Sequence, residues 1–336
     1  MFQKILVPLD GSQRAKTALP VAARIARSTG ASLLLVRIVY PTIEYTRYPR
    51  VLATPMELDN QIAEAEIELA RSNLRQIAMS DALAGIEVAI QTTMATDIAR
   101  TLLEIGENAQ ADLIILCSHG YTGLKRWALG SVAYKLTRSS TIPLLVLHEG
   151  DDSRSRIYTT RPQPLEIMVA LDGSTLSEAA LEPAVQLGVA LAVPEPTTLH
   201  LVEVLPFPAR HGHLTPAHQA IEEAQKRIIA ETQCYLEEVK KKLMESSLAY
   251  HNLRITTSVL VHEDIAHTLV EAATDPTVQA AHMPGTEKID LLALTTHGRS
   301  GLEHWALGSI SERVLDTTRQ PLLIVHATVA EQVASS

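Results

Sequence analysis

The sequence HGYTGLKRWALGS at residues 119–131 returns as HGRSGLEHWALGS at residues 297–309, with 9 of 13 positions identical. Three further pairs of segments keep the same order along the chain: KILVPLDGS (4–12) with EIMVALDGS (166–174), TDIARTLLEI (96–105) with EDIAHTLVEA (263–272), and IPLLVLH (142–148) with QPLLIVH (320–326). Matched segments in matched order indicate that one unit of roughly 150 residues occurs twice.

The repeat predicts a first domain at 1–150, a second domain at 165–329 and a short C-terminal tail at 330–336. The segment between the domains, 151–164, is charged and then proline-bearing without an apolar period, so we expect an exposed linker. The second copy carries about eleven extra residues around DPTVQAAHMPGTEK at 275–288, most simply a longer surface loop.

Composition narrows the functional classes. Apolar residues make up 46% of the 336 residues and charged residues 20%, as in globular proteins. The net charge of -9 argues against nucleic acid or an anionic membrane as a partner. The two cysteines are far apart and fit neither a disulfide framework nor a zinc site, and no apolar run approaches the ~20 residues of a membrane span. We therefore expect a cytoplasmic protein.

Within each copy, short apolar runs alternate with longer amphipathic segments. The runs KILVPL, SLLLVRIV, IEVAIQ, ADLIILCS and PLLVLH are typical of buried strands. Two segments between them have helical spacing, with apolar residues at 15, 18, 19, 22, 25 and 26 and at 62, 65, 69 and 77. Strict alternation predicts two tandem α/β domains, each a doubly wound, Rossmann-like, mostly parallel sheet of five strands.

Ligands of such sheets bind outside the carboxyl ends of the strands, and the informative residues follow strands here. Asp10 follows the first strand, and Gly120 begins the segment after the fourth strand, which leads to Gly130 and Ser131. We expect Ser131 to be the N-cap of the next helix. Glycines permit close approach of the backbone, and a helix start offers unpaired N–H groups, which together favour a phosphate cradle.

These segments, the aspartate after the first strand and the order of elements resemble the universal stress protein family in its tandem two-domain form. The resemblance covers nearly the whole chain twice and implies binding of ATP, or of ADP or AMP, with or without Mg²⁺. Family members that bind ATP typically carry Gly, two residues, Gly, nine residues and Gly-Ser/Thr. The second and third glycines match here, whereas the first is replaced by Cys117 in one copy and Thr295 in the other.

The resemblance implies that Asp10 and Asp172 meet the adenine or ribose, and that the backbones of Ile38 and Val204 meet the base. The candidate nucleotide-binding residues are Asp10, Ile38, Gly120, Gly123, Lys125, Arg126, Gly130, Ser131 and Val132 in the first copy, and Asp172, Val204, Gly298, Arg299, Gly301, Gly308, Ser309 and Ile310 in the second.

Charge distinguishes the two candidate sites. The first copy places Lys125 and Arg126 between its glycines, where the second has Glu303 and His304 and offers Arg299 instead. Because a helix N-terminus alone contributes only ~0.3–2 kcal/mol toward an anion, additional cations matter. We expect unequal affinities, with the first site less dependent on a divalent metal.

Structural alternatives accompany these interpretations. The glycines are also explained as turns, and Asp10 as a helix N-cap. His119 and His297 are better explained by hydrogen bonding in loops than by catalysis or metal binding, and no metal site is expected at histidines 211, 213 and 218. Cys117 favours packing over nucleophilic chemistry. The tryptophans at 127 and 305 favour anchoring by burial over stacking on a base.

Three functional classes remain. The first is a nucleotide-binding regulatory protein, with no catalytic residues and an unidentified protein partner. The second is an enzyme, at most a weak ATPase or a nucleotidyl-transfer protein, although the chain has no GxxxxGK[ST] motif. The third is a scaffold without nucleotide. The final strands follow prolines and end each copy, so we expect the copies to pair through them with pseudo-twofold symmetry, and two chains to form a homodimer.

Overall fold

A computed structural model describes residues 1–41, 56–118, 129–148, 155–159, 161–207, 216–246, 252–283, 285–296 and 308–326, except the side chains of 56–60 and 216–218. In the first half, strands and helices alternate as predicted: β1 (Lys4–Pro8), α1 (Ala18–Thr29), β2 (Ser32–Val39), α2 (Met56–Ala78), β3 (Val88–Met94), α3 (Ile98–Asn108), β4 (Leu113–Cys117), α4 (Ser131–Ser139) and β5 (Leu144–Leu147).

The second half repeats this order with two additional helices, α5 and α9. Its elements are β6 (Leu165–Leu171), α5 (Thr175–Glu178), α6 (Leu181–Ala192), β7 (Thr197–Leu205), α7 (Pro216–Glu245), β8 (Leu253–Val261), α8 (Ile265–Thr274), α9 (Pro276–His282), β9 (Leu291–Thr295), α10 (Ser309–Thr317) and β10 (Leu322–Val325). None of the described helices is long and apolar enough to cross a membrane.

The ten strands form one sheet in the order β3-β2-β1-β4-β5-β10-β9-β6-β7-β8. Neighbouring strands run parallel except β5 and β10, which pair antiparallel with Leu145 opposite Leu323. These two leucines are matching residues of the repeat, so the pseudo-twofold axis passes between them. The predicted pairing of the copies through their final strands is confirmed, whereas the homodimer of two chains stays a prediction.

Both faces of the sheet are covered by apolar clusters that contain residues from both halves. On one face α1 packs against α6, and the stripe predicted for α1 is buried in this core. The second predicted stripe also lies on a helix, α2, but only its last residue, Ile77, packs against the core. Ile62 and Leu69 are 42% and 62% exposed, and Ala70 and Leu74 are buried instead. The buried face of α2 is therefore rotated from the predicted one.

Two expectations about connecting segments are wrong. Within the predicted exposed linker, residues 155–159 contain a 3-10 turn at Arg156–Tyr158 that packs on the second half, with Ser155 and Ile157 each 1% exposed. The extra segment of the second copy contains a helix, α9, rather than only a surface loop. Asp275 caps α9 by accepting the N–H of Thr277 at 2.7 Å, and Gln279 of α9 is 1% exposed.

Candidate functional site

The loop after β1 is held by two side-chain hydrogen bonds. Asp10 Oδ1 accepts the backbone N–H of Ser12 at 2.9 Å, and Ser12 Oγ accepts that of Ala15 at 3.1 Å. Gly11 between them has φ +89°, a conformation that strains any residue with a side chain. Asp10 therefore forms an Asx turn, and the serine, rather than the aspartate, accepts the N–H at the start of the following 3-10 turn.

The second copy builds the same loop. Asp172 Oδ1 accepts the N–H of Ser174 at 3.0 Å and its hydroxyl at 2.6 Å. Gly173 has φ +79°, and Ser174 Oγ accepts the N–H of Ser177 at 3.2 Å as the N-cap of α5. Both aspartates thus hold a tight turn at the carboxyl end of the first strand of their copy.

The second strand of each copy continues beyond the first strand. The last bond between β1 and β2 joins the Leu9 N–H to the Val36 C=O at 2.8 Å. In a parallel strand, the N–H and C=O of one residue point to the neighbouring strand on one side, and those of the next residue point to the other side. The peptide groups of Ile38 therefore point to the same side as those of Val36, toward β1. Because β1 has already ended at this level, they face no strand residue there. Val204 occupies the matching position in β7. This placement is consistent with the base contact that the resemblance implies.

The third glycine of each copy begins a helix. Gly130 (φ −62°, ψ 149°) and Gly308 (φ −62°, ψ 146°) are the N-caps of α4 and α10. Ser131 is therefore not the N-cap: the Gly130 C=O accepts the N–H of Tyr134 at 2.8 Å, which makes Ser131 the first helical residue. Val132 follows Ser131 in the first turn of α4, and Ser309 and Ile310 hold the matching positions in α10.

The starts of α4 and α10 differ from those of α3, α5 and α8, and they share with α1 and α6 an N-cap residue whose side chain makes no capping bond. Asp97, Ser174 and Asp264 cap α3, α5 and α8 by accepting a backbone N–H of the helix. At α4 and α10 no side chain of a described residue makes such a bond. Because β1 lies between β2 and β4 in the sheet, the start of α4 follows a strand adjacent to the Asp10 loop. The uncapped N–H groups suit an anion.

A packing constraint also explains one of the glycines. A Cβ on Gly308 would lie 3.0 Å from the backbone oxygen of Thr296, so a larger residue would displace the backbone. Cys117 and Thr295, which replace the first glycine of the family pattern, end β4 and β9. Cys117 is half-buried and Thr295 is 5% exposed, consistent with packing positions.

Several predicted site residues lie outside the described residues, and their placement stays a prediction. They are Gly120, Gly123, Lys125, Arg126, Gly298, Arg299 and Gly301, together with the histidines at 119, 211, 213, 297 and 304, the tryptophans at 127 and 305, and Glu303. Among the residues that are described, no group of three or more His, Cys, Asp or Glu side chains is arranged to hold a metal ion.

The sequence analysis missed Arg37 of β2. Its guanidinium packs over Gly11, with Nη2 3.0 Å and Cζ 3.1 Å from the position that a Cβ of residue 11 would occupy. Thr92, the cross-strand neighbour of Arg37 on β3, has a buried hydroxyl to which no described residue forms a hydrogen bond. A cation and a polar group therefore lie beside the Asp10 loop.

The second copy carries acidic and phenolic groups in this region. Glu203, in register with Leu171 at the end of β6, is 3% exposed. Tyr235 of α7 donates to Glu178 Oε1 at 3.1 Å. Burial, followed by the negative charges of Glu178 and Glu203, raises the pKa of Tyr235 well above its ordinary value. Comparing charges at matched positions of the two copies would have revealed Arg37 and Glu203.

Comparison with known proteins identifies the family. The model of the universal stress protein family matches residues 1–148 and 165–326. A universal stress protein of Mycolicibacterium smegmatis is 26% identical over 329 residues, covering 96% of each chain, and one of Mycobacterium tuberculosis is 25% identical over 335 residues, covering 97% of each.

Solved structures share the fold over the full chain. A universal stress protein from Archaeoglobus fulgidus aligns with a TM-score of 0.59 at 16% identity, covering 97% of this chain and 98% of its own. A functionally unknown protein from Pseudomonas aeruginosa aligns with a TM-score of 0.59 at 18% identity, covering 97% and 93%. The chain therefore belongs to the universal stress protein family, in its tandem form.

Proposed function

We propose that this protein binds an adenine nucleotide, ATP or its ADP or AMP form, and acts as a regulatory protein of the stress response rather than as an enzyme. The observation that carries the proposal is the start of α4 after Gly130, which no side chain of a described residue caps, at the carboxyl ends of adjacent strands. Anionic phosphate fits these N–H groups, and the peptide groups of Ile38 fit a base edge. The Asp10 loop between them fits a ribose or an adenine. Mg²⁺ would then be held mainly through the phosphates.

A path from this site to the contact between the halves supports a regulatory role. Tyr134, whose N–H binds the Gly130 C=O, donates its hydroxyl to Glu312 Oε1 of α10 at 2.5 Å. Arg138 donates to the same hydroxyl at 3.1 Å. A ligand at the start of α4 therefore lies one helical turn from a contact between the copies. Such a ligand changes the pairing of the halves only if it binds one arrangement more tightly than another.

Ser131→Asp tests this function. The added carboxylate lies at a helix N-terminus, where it stabilises the helix, but it repels a phosphate. We expect mass spectrometry of the purified wild-type chain to detect a retained adenine nucleotide, and equilibrium dialysis to show about tenfold or more weaker ATP binding by Ser131→Asp. Ser131→Asn, which matches the size of aspartate without its charge, is the control and should bind ATP more tightly than Ser131→Asp does.

Different results would favour the other two classes. If neither retained nor added adenine nucleotide binds the wild type, the proposal is overturned and a nucleotide-free scaffold held by β5 and β10 is favoured. Hydrolysis of ATP that survives rigorous purification and is removed by Asp10→Ala would instead favour a slow ATPase.

A further inference from the structure

Arg37 and Glu203 occupy the same position in the two copies. Pro8 of β1 pairs with Val36 of β2, and the matching residues Ala170 and Val202 pair in the second copy. The next residue along the second strand is Arg37 in one copy and Glu203 in the other. The backbone of this region is therefore repeated, while the sign of the side-chain charge is reversed.

The first copy presents positive charge at the candidate site. Gly11 is the residue that allows this arrangement, because its φ of +89° strains other residues and a Cβ would lie 3.0 Å from Arg37 Nη2. Next to Arg37 on the neighbouring strand, the hydroxyl of Thr92 is buried and has no hydrogen-bond partner within the part of the chain that the structure describes. These groups favour an anionic, hydrogen-bonding ligand at the carboxyl ends of β1 and β2.

The second copy presents negative charge in the corresponding region. Glu203 is 3% exposed, and Tyr235 directs its hydroxyl hydrogen to Glu178. Glu178 belongs to α5 (Thr175–Glu178), the helix that Ser174 caps directly after β6. The carboxylate and the phenol therefore lie against the loop that follows β6. An anionic ligand brought to this loop meets like charge in a poorly solvated region.

We propose that the protein binds one adenine nucleotide per chain, in the first copy, with Arg37 supplying positive charge to the ligand and Glu203 closing the second copy to it. This inference rests on the proposed nucleotide-binding function. It concerns which half is occupied and which residue determines that choice.

Stoichiometry with copy-specific variants tests the choice of half. Equilibrium dialysis of the full chain with labelled ATP should saturate at one nucleotide per chain. Ser131→Asp should weaken this binding about tenfold or more, and Ser309→Asp, the same change in the second copy, should leave it unchanged. Two equivalent nucleotides per chain, or loss of binding in Ser309→Asp, would overturn the inference alone. No binding by the wild type would overturn the proposed function as well.

Charge variants test the role of Arg37. We expect Arg37→Glu to weaken ATP binding about tenfold or more and Arg37→Lys to retain most of the affinity, because lysine keeps the charge. Arg254→Glu changes the net charge equally at an exposed residue near the amino end of β8, so it is the matched control. Thermal unfolding of each variant establishes that it is folded. Equal affinities of Arg37→Glu and Arg254→Glu would refute the assigned role.

Discussion

The amino ends of the two half-sheets show which features the copies share and which they do not. Asp112, before β4, accepts the N–H groups of Gln3 at 2.6 Å and Lys4 at 3.3 Å. Asp290, before β9, accepts the N–H of Glu166, the residue that matches Lys4, at 3.1 Å. The backbone anchor of the first strand is therefore built twice from an aspartate.

The surroundings of the two aspartates differ. Lys4 donates to the carbonyl of Ala109 at 2.9 Å and remains half-buried. Asp290 is 0% exposed and accepts the N–H and Nε–H of Arg156, both at 2.9 Å. Burial raises the pKa of Asp290, and the bonds and charge of Arg156 oppose this shift without cancelling it. Both copies thus anchor the backbone of their first strand on an aspartate. Among the described residues, only the aspartate of the second copy forms a buried ion pair with a linker residue, Arg156.

The largest expected change is a loss of stability when Arg156, the linker residue paired with Asp290, loses its positive charge. Arg156→Met keeps much of the aliphatic packing but leaves the Asp290 carboxylate buried without its positive partner. Loss of one member of a buried pair costs about 3–5 kcal/mol, and we expect this decrease in the free energy of unfolding, measured by urea denaturation.

Two further variants show whether the loss of stability is specific to Arg156. Lys4→Met, the counterpart at the other amino end, should cost about 1 kcal/mol or less, because its ammonium group makes a partly solvated bond. Arg161→Met, at an exposed position of the same linker, should change stability by less than ~0.5 kcal/mol. Equal costs for Arg156→Met and Lys4→Met would show that the buried ion pair does not distinguish the halves.

What the sequence could predict depended on whether the signal was local or repeated. The alternation of strands and helices in each copy and the pairing of the final strands were predicted from the apolar runs and their duplication. The start of α9 was also readable, since Asp275 followed by Pro276 is an N-cap with proline at the first helical position. The contact of Arg156 with Asp290 could not be predicted from the sequence, because the two residues are 134 positions apart and only the tertiary fold brings them together.

Some parts of the candidate site were also predictable from the sequence, and others were not. The loops of Asp10 and Asp172 follow from the repeated segments LDGS, whereas the base contacts that the resemblance implies for Ile38 and Val204 at the ends of β2 and β7 stay predictions. The charge difference between Arg37 and Glu203 is visible once the two copies are aligned, but that Arg37 packs over Gly11 requires the tertiary structure. The buried face of α2 was also not settled by periodicity, because this helix carries apolar residues on both its exposed and its buried sides.

A smaller effect is expected from the paired glycines of the two loops. Gly11→Ala and Gly173→Ala should each cost about 1–2 kcal/mol of unfolding free energy, because φ is +89° and +79° at these positions. A Cβ on residue 11 would also lie 3.0 Å from Arg37 Nη2 and shift the guanidinium slightly, so Gly11→Ala should weaken ATP binding by about twofold. Gly173→Ala lies in the copy that we propose to be unoccupied and should leave ATP binding unchanged. Dialysis with ATP and urea denaturation measure the two effects. Equal losses of binding in both variants would show that the loops contribute alike to the ligand site.

The smallest expected effect is a pH dependence of the unfolding free energy that arises at Glu166 in the second half. Burial raises the pKa of Glu166, but His200, whose Nε2 lies 3.4 Å from Oε2, the N–H of Glu287 and the charge of Arg156 outweigh it and hold the pKa below its ordinary value of 4.5. The folded state therefore favours the carboxylate more than the unfolded state does, and the resulting stabilisation is fully present above pH 4.5 and lost as the pH falls through the depressed value.

We expect the difference in unfolding free energy between the wild type and Glu166→Gln to shrink as the pH is lowered from 7 toward 3. Urea denaturation at each pH measures this difference and cancels the opposite contribution of Asp290, whose pKa is raised. Lys4→Gln at the matching position of the first half carries no such carboxylate, so its difference from the wild type should vary much less over the same range. If the difference between the wild type and Glu166→Gln stays constant with pH, the pKa of Glu166 is the same in the folded and unfolded chains.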